Sequence, residues 1–178
     1  TLTVGAVRDM GLLVRNMGQR AQNRWRQTKF ADFALLIPLV LLSLNSRLQY
    51  LYFLLSSGKG LPYAHDSQWY IDYARSLMER FAIRPDMDEI LYFGYNVTLT
   101  ALLALLKSPV AVAYVQAVIA GLCVILVYKI AQMLFNRTTA VIASLIYSRS
   151  WDITLWSAYI LADSLFISLL LMCVYLLL

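Results

Sequence analysis

Charged residues are scarce in this 178-residue chain, where lysine, arginine, aspartate and glutamate together make up 14% and hydrophobic residues 61%. In soluble globular domains roughly a quarter of the residues are charged. The shortage of charge excludes an ordinary soluble domain and indicates an integral membrane protein.

The residue types that build metal, redox and phosphate-loop sites are also few. The chain has two cysteines, Cys123 and Cys173, both inside apolar runs, and a single histidine, His65. It contains no CxxC pair, no HExxH motif and no glycine-rich phosphate loop. These absences exclude the sites that such motifs build. A thiol inside an apolar run behaves as a small hydrophobe, so the cysteines do not indicate a redox compartment.

The positive charge that is present gathers near the amino terminus. Six basic residues precede the first hydrophobic run, namely Arg8, Arg15, Arg20, Arg24, Arg26 and Lys29. A basic segment beside a membrane span is typical of a cytoplasmic flank attracted to anionic lipid. No nucleic-acid-binding motif accompanies it, and we expect no nucleic-acid partner. We therefore predict a basic cytoplasmic or interfacial segment at 1–32 and a transmembrane domain at 33–178.

The apolar runs predict an all-α fold, a polytopic transmembrane helical bundle with about four spans. About 20 residues cross the ~30 Å hydrocarbon core, and the runs from Phe33 to Leu55 and from Pro109 to Phe135 are long enough. A rising segment follows from Thr138 to Asp163, and residues 164–178 return. The run 91–107 is short and contains glycine, asparagine and threonine.

The distribution of basic residues predicts the orientation of these segments. The basic flank places the amino terminus in the cytoplasm and the loop 56–108 on the periplasmic, extracellular or lumenal side. Lys129 and Arg137 mark the end of the second span as cytoplasmic as well. The run 91–107 then cannot be a full crossing, and we predict a juxtamembrane or re-entrant helix on the outer face.

Acidic residues concentrate in that outer loop, where six of the chain's ten lie between Asp66 and Glu89. Trp69, Tyr73 and Leu77 recur at four-residue spacing, which predicts an amphipathic helix over 66–80. Arg75 and Glu79 are spaced to form an i,i+4 pair on it. In the rising segment, Arg149 and Asp152 are spaced to pair on one helix face.

Asp66 and Asp163 are the candidate catalytic residues, with helix capping as the alternative for each. Both precede helical segments, where aspartate is a favoured cap. Because the predicted topology places both acids on the outer face, they could instead position a hydroxyl nucleophile, act as general base or hold a divalent cation. Whether a metal ion takes part is open.

The candidate substrate-binding residues are Arg47, His65, Tyr70 and Tyr73. Arg47 either extends to the membrane interface or faces a cavity, where its planar fork suits a phosphate. His65 is either a surface hydrogen-bonding residue or a ligand. Tyrosines are common at membrane interfaces, and their rings also stack on sugars.

The order of these features resembles the amino-terminal part of the GT-C superfamily of integral membrane glycosyltransferases, which includes protein O-mannosyltransferases and lipid A aminoarabinose transferases. The matching pieces over 33–178 are the acid and tyrosine-alanine helix (Asp66-Ser67-Gln68-Trp69-Tyr70 and Tyr73-Ala74), the basic turn between Lys129 and Arg137, and the Tyr159-Ile160-Leu161-Ala162-Asp163 stretch. The resemblance implies that Asp66 is the catalytic base or positions the acceptor, and that Asp163 assists or contacts a metal ion.

The chain departs from the family at Arg149 and Asp152, where members usually have an apolar or small-residue span. The later spans and carboxy-terminal domain that help to form the donor site lie outside it, and we expect it to be the amino-terminal part of such an enzyme. The implied function is transfer of a sugar from a polyprenyl-phosphate carrier to an acceptor hydroxyl. The alternative is a non-catalytic accessory subunit of a larger membrane complex, with membrane proteins and lipids as its partners.

Overall fold

The computed structural model describes residues 32–58, 61, 65–80 and 92–178. These residues form helices and turns and contain no strand. The helices are α1 (Asp32–Ser56), α2 (His65–Arg80), α3 (Phe93–Leu106), α4 (Pro109–Leu122), α5 (Val124–Leu134), α6 (Arg137–Arg149), α7 (Trp151–Ala158) and α8 (Ala162–Leu177). The all-α prediction is confirmed for this part of the chain. The basic segment before Asp32 and the acids at 86–89 lie outside it.

Local signals explain where several helices begin and end. The Ser108 hydroxyl accepts a hydrogen bond from the N–H of Ala111 at 3.4 Å, and Pro109 occupies the first helical position of α4. The Asn136 Oδ1 accepts from the N–H of Thr139 at 2.9 Å at the start of α6. Lys107 ends α3 in the left-handed conformation, with φ of 56°.

Two of the described helices are long and apolar enough to cross a membrane, Asp32–Ser56 and the continuous Pro109–Leu134 formed by α4 and α5. Both predicted long spans are therefore confirmed in extent. A third candidate span arises if α7 and α8, whose axes are bent by 120° at the break between them, together form one span. The run predicted to be too short is the 14-residue α3. Membrane association is thus supported by helix length and composition.

The rising segment differs from the prediction because its helix is interrupted. Ser150 has an extended backbone, with φ of −62° and ψ of 117°, so Arg149 ends α6 and Asp152 lies in the first turn of α7. These two side chains, both within the described part of the chain, are exposed and form no ion pair. The predicted pairing on one helix face is wrong because the two residues do not share a helix.

The helix Pro109–Leu134 is the centre of the compact unit Leu39–Leu178. Its first half, α4, packs against α3, α7 and α8, and its second half, α5, packs against α6 and α8. The segments α6 and α7 therefore follow the central helix along its length. A Cβ atom built on Gly121 would lie 2.6 Å from Leu44 Cδ2, so α1 crosses the central helix in close contact at this glycine.

A buried cation lies near this crossing. Arg47 is fully buried, and its Nη1 donates to the Ser43 carbonyl at 3.0 Å and to the Ser43 hydroxyl at 2.7 Å. Its guanidinium carbon is 4.8 Å from the centre of the Tyr147 ring. The Tyr147 hydroxyl donates to the Ala120 carbonyl at 2.8 Å, which ties α6 to α4.

Candidate functional site

Asp163 lines a cavity of about 560 Å³ that lies between the amino-terminal halves of α3 and α8. We call it the acidic cavity; its lining residues include Tyr92, Tyr95, Thr98, Asp163 and Phe166. One carboxylate, three aromatic rings and three hydroxyl-bearing side chains thus line the same space. Such a combination of apolar wall and few polar groups is typical of a small-molecule site.

The buried side-chain amide of Gln116 makes hydrogen bonds behind the wall of the acidic cavity. The Gln116 Nε2 donates to the Tyr95 hydroxyl at 3.3 Å and, more weakly, to the Leu161 carbonyl at 3.5 Å. These bonds join α3, α4 and the turn before α8. Burial raises the pKa of Tyr95, with smaller contributions from Tyr70 and Asp163, while the hydrogen bond with Gln116 opposes the rise. A tyrosine phenol is neutral at physiological pH even without this rise, so Tyr95 can donate a hydrogen bond.

Helix α2 adjoins this wall through Tyr70. Tyr70 is 4% exposed, and its ring meets the rings of Tyr95 and Tyr92 edge-on, with centroids 4.9 and 5.6 Å apart. Asp66 lies one helical turn before Tyr70, in the first turn of α2, and is exposed. The start of α2 therefore lies close to the cavity that contains Asp163.

The capping alternative for Asp163 is wrong, because α8 has Leu161 at its N-cap and no side-chain cap hydrogen bond. Asp163 lies inside the first turn, where its charge still complements the helix dipole. Asp66 also lies inside the first turn of its helix, since α2 begins at His65.

The remaining predicted site residues are not brought to the acidic cavity. Tyr73 is buried and stacks on Trp69, with ring centroids 6.0 Å apart, and it is not part of the cavity wall. Arg47 is buried at the helix crossing, and its phosphate-binding role stays a prediction. His65 begins α2, and its side chain lies outside the described part of the structure.

The described residues do not assemble a metal centre, since no three histidine, cysteine, aspartate or glutamate side chains among them come together. The described lining of the acidic cavity supplies one carboxylate, Asp163. Ca²⁺ takes roughly 6–8 oxygen ligands, and Mg²⁺ commonly uses carboxylates together with substrate phosphates. The donors present do not fit a resident cation, and we derive no step through one.

Tyr95 and Gln116 are the site residues that the sequence interpretation missed. Gln116 carried a usable signal, because it is a polar residue in the middle of the most apolar span. Polar residues within membrane spans are costly and commonly face the bundle interior. Tyr95 carried no such signal, since tyrosines are frequent throughout this loop.

Comparison of the chain with protein family models, with curated proteins and with solved structures gives no match.

Proposed function

We propose that the chain is the amino-terminal membrane part of a glycosyltransferase similar to the GT-C superfamily, moving a sugar from a polyprenyl-phosphate carrier to an acceptor hydroxyl. The observation that carries the proposal is the acidic cavity, with Asp163 among three aromatic rings and Asp66 one helical turn before Tyr70, whose ring contacts two of them. Aromatic faces and a carboxylate are the groups that bind a sugar ring and its hydroxyls.

The proposed topology has four spans, a cytoplasmic amino terminus and the loop 56–108 on the outer face. Its support is the packing of α6 and α7 along the whole central helix, with α8 returning along both halves. Helices α6 and α7 contain 13 and 8 residues on either side of the break at Ser150, and their summed helical length of about 32 Å at 1.5 Å per residue is comparable with the hydrocarbon core.

The proposed chemistry is a single displacement at the anomeric carbon. The acceptor oxygen forms a bond to that carbon as the bond from carbon to the carrier's phosphate oxygen breaks, and the carrier leaves as polyprenyl phosphate. Asp66 takes the proton of the acceptor hydroxyl. Asp163 and the neutral Tyr95 phenol orient the sugar. Displacement from the opposite side inverts the configuration at the sugar carbon.

The test measures transfer from a panel of radiolabelled polyprenyl-phosphate hexoses by membranes containing the full-length protein. Asp66→Asn removes the base and is expected to slow transfer about 100-fold or more. Asp72→Asn is the matched control, because Asp72 is an exposed acid on the same helix that accepts from Gln68 Nε2 at 2.9 Å. Unchanged transfer by Asp66→Asn would refute the assignment and favour the accessory-subunit alternative.

A further inference from the structure

A second cavity, of about 890 Å³, lies between α2 and α3, with Pro109 also on its edge. We call it the basic cavity. Its walls are mostly aliphatic, and include Leu77, Met78, Val97 and Ala104. Arg75 and Lys107 also line it, and none of its described lining residues is acidic. The cavity therefore combines hydrocarbon walls with charge of one sign.

Both cations are accessible to an anion. The Arg75 side chain is 55% exposed, and its Nη1 lies 3.7 Å from Asp72 Oδ1 rather than pairing with Glu79 as the sequence predicted. Ion pairs between exposed side chains at such distances contribute little. Lys107 is exposed, and its left-handed backbone conformation is one that glycine or asparagine adopts more readily. An anion at this cavity would therefore displace only a weak partner.

The cavity lies at the edge of a membrane-spanning helix. Lys107 is two residues before Pro109, the first residue of the helix Pro109–Leu134. Long basic side chains near the end of a span extend to the interface, where the phosphate groups of the lipid lie on either face of the membrane. Aliphatic walls beside such residues adjoin the acyl chains.

We propose that the basic cavity binds an anionic bilayer phospholipid, with its phosphate beside Arg75 and Lys107 and an acyl chain along Leu77, Met78 and Val97. Charge complementarity selects an anion, and the aliphatic walls select one that carries hydrocarbon. Phospholipid is present wherever this end of the helix meets the bilayer. The proposal is independent of glycosyl transfer and holds whether or not the chain is an enzyme.

The test is native mass spectrometry of the full-length protein in a neutral detergent, titrated with phosphatidylglycerol or with phosphatidylcholine carrying the same acyl chains. The double variant Arg75→Gln/Lys107→Gln is expected to bind phosphatidylglycerol about 30-fold more weakly, since each basic residue near a membrane surface contributes roughly fivefold. The control Lys129→Gln/Arg149→Gln removes the same charge outside the cavity and is expected to retain binding.

A second variant tests the hydrocarbon part without changing charge. Ala104 is exposed on the cavity wall, so Ala104→Trp fills the space without disturbing the core. It is expected to weaken binding of phosphatidylglycerol at least fivefold while the thermal unfolding temperature stays unchanged.

Four results would overturn the proposal. Equal losses of phosphatidylglycerol binding in the Arg75/Lys107 and Lys129/Arg149 variants would show that only the net charge of the protein matters. Equal binding of phosphatidylcholine would show that the negative charge of the lipid is not recognised. Competition by inorganic phosphate at equal concentration would assign the site to a soluble ligand. Displacement of phosphatidylglycerol by substoichiometric polyprenyl phosphate would assign it to the carrier instead.

Discussion

The two cavities on either side of α3 are opposite in chemistry. The acidic cavity has a carboxylate, aromatic rings and the Gln116–Tyr95 hydrogen bond, whereas the basic cavity has two cations and aliphatic walls. Tyr95 and Thr98 face the first cavity and Val97, Ala101 and Ala104 the second, which places them on different faces at 3.6 residues per turn. A single 14-residue helix thus separates the cavity proposed to bind a sugar from the cavity proposed to bind a lipid phosphate.

The difference teaches that polar groups serve two purposes in this membrane chain. Gln116 and Tyr95 are buried and bonded to each other, so they fix geometry. Arg75 and Lys107 are exposed on their cavity, so their charges are available to a ligand. We expect the first region to control chemistry and the second to control membrane lipid binding.

The largest expected effect comes from removing charge in one cavity at a time. Asp163→Asn is expected to slow sugar transfer about 100-fold, because the substitution removes a carboxylate that orients the sugar for reaction. Lys107→Gln is expected to change the rate less than about threefold, because Lys107 lines the basic cavity and not the acidic one. Both are measured in the membrane transfer assay. A large loss with Lys107→Gln would break the comparison, since the basic cavity would then take part in the reaction.

A smaller effect is expected from a change in the scaffold that both cavities share. Gly121→Leu forces α1 away from the central helix at Leu44 and is expected to cost about 1–3 kcal/mol of unfolding free energy. Gly94→Leu is the matched control, because a Cβ on Gly94 meets nothing within 4 Å, and it should stay within about 0.5 kcal/mol. Thermal unfolding in detergent, followed by circular dichroism, measures both. Equal destabilisation would show that the contact at Gly121 does not set the crossing.

The smallest expected effect is on the unfolding free energy, and it comes from a substitution in the acidic cavity that should leave the basic cavity unchanged. Tyr95→Phe removes the hydrogen bond from Gln116 and is expected to cost about 0.5–1.5 kcal/mol. That loss lowers the unfolding temperature by roughly 2–4 °C per kcal/mol in a chain of this size. Tyr92→Phe, at a half-exposed ring of the same cavity, is the control and should have little effect. Phosphatidylglycerol binding should stay unchanged in both variants; a loss in Tyr95→Phe would mean that the cavities are coupled.

The helices were predictable from the sequence because their signals are local. Apolar run length predicted spans over 33–55 and 109–135, where the structure has the helices Asp32–Ser56 and Pro109–Leu134. The four-residue spacing of aromatic and apolar residues predicted α2. The interruption at Ser150 was not predictable in the same way. Arg149 and Asp152 have the spacing of a helical pair, but in the structure they belong to two helices that pack against different halves of the central helix.

The candidate site was predictable in part. The sequence identified Asp163 and Tyr70 as candidates, and they lie at one cavity wall or in contact with it. It did not identify Tyr95, whose place at the cavity depends on which helix faces turn toward one another, and it overlooked Gln116 although a polar residue in an apolar span was a usable signal. Spacing allows Arg75 to pair with either Asp72 or Glu79, and side-chain conformation decides between them.

The 120° bend before α8 interrupts the helical hydrogen bonding, and hydrocarbon offers no donor to a carbonyl released in this way. Gln116 supplies a donor to the Leu161 carbonyl, while Ile160 and Leu161 are buried in protein. Because the Leu161 carbonyl is satisfied from within the protein, the turn does not depend on solvent for this hydrogen bond. An amide on a neighbouring helix therefore helps to hold the turn that positions Asp163.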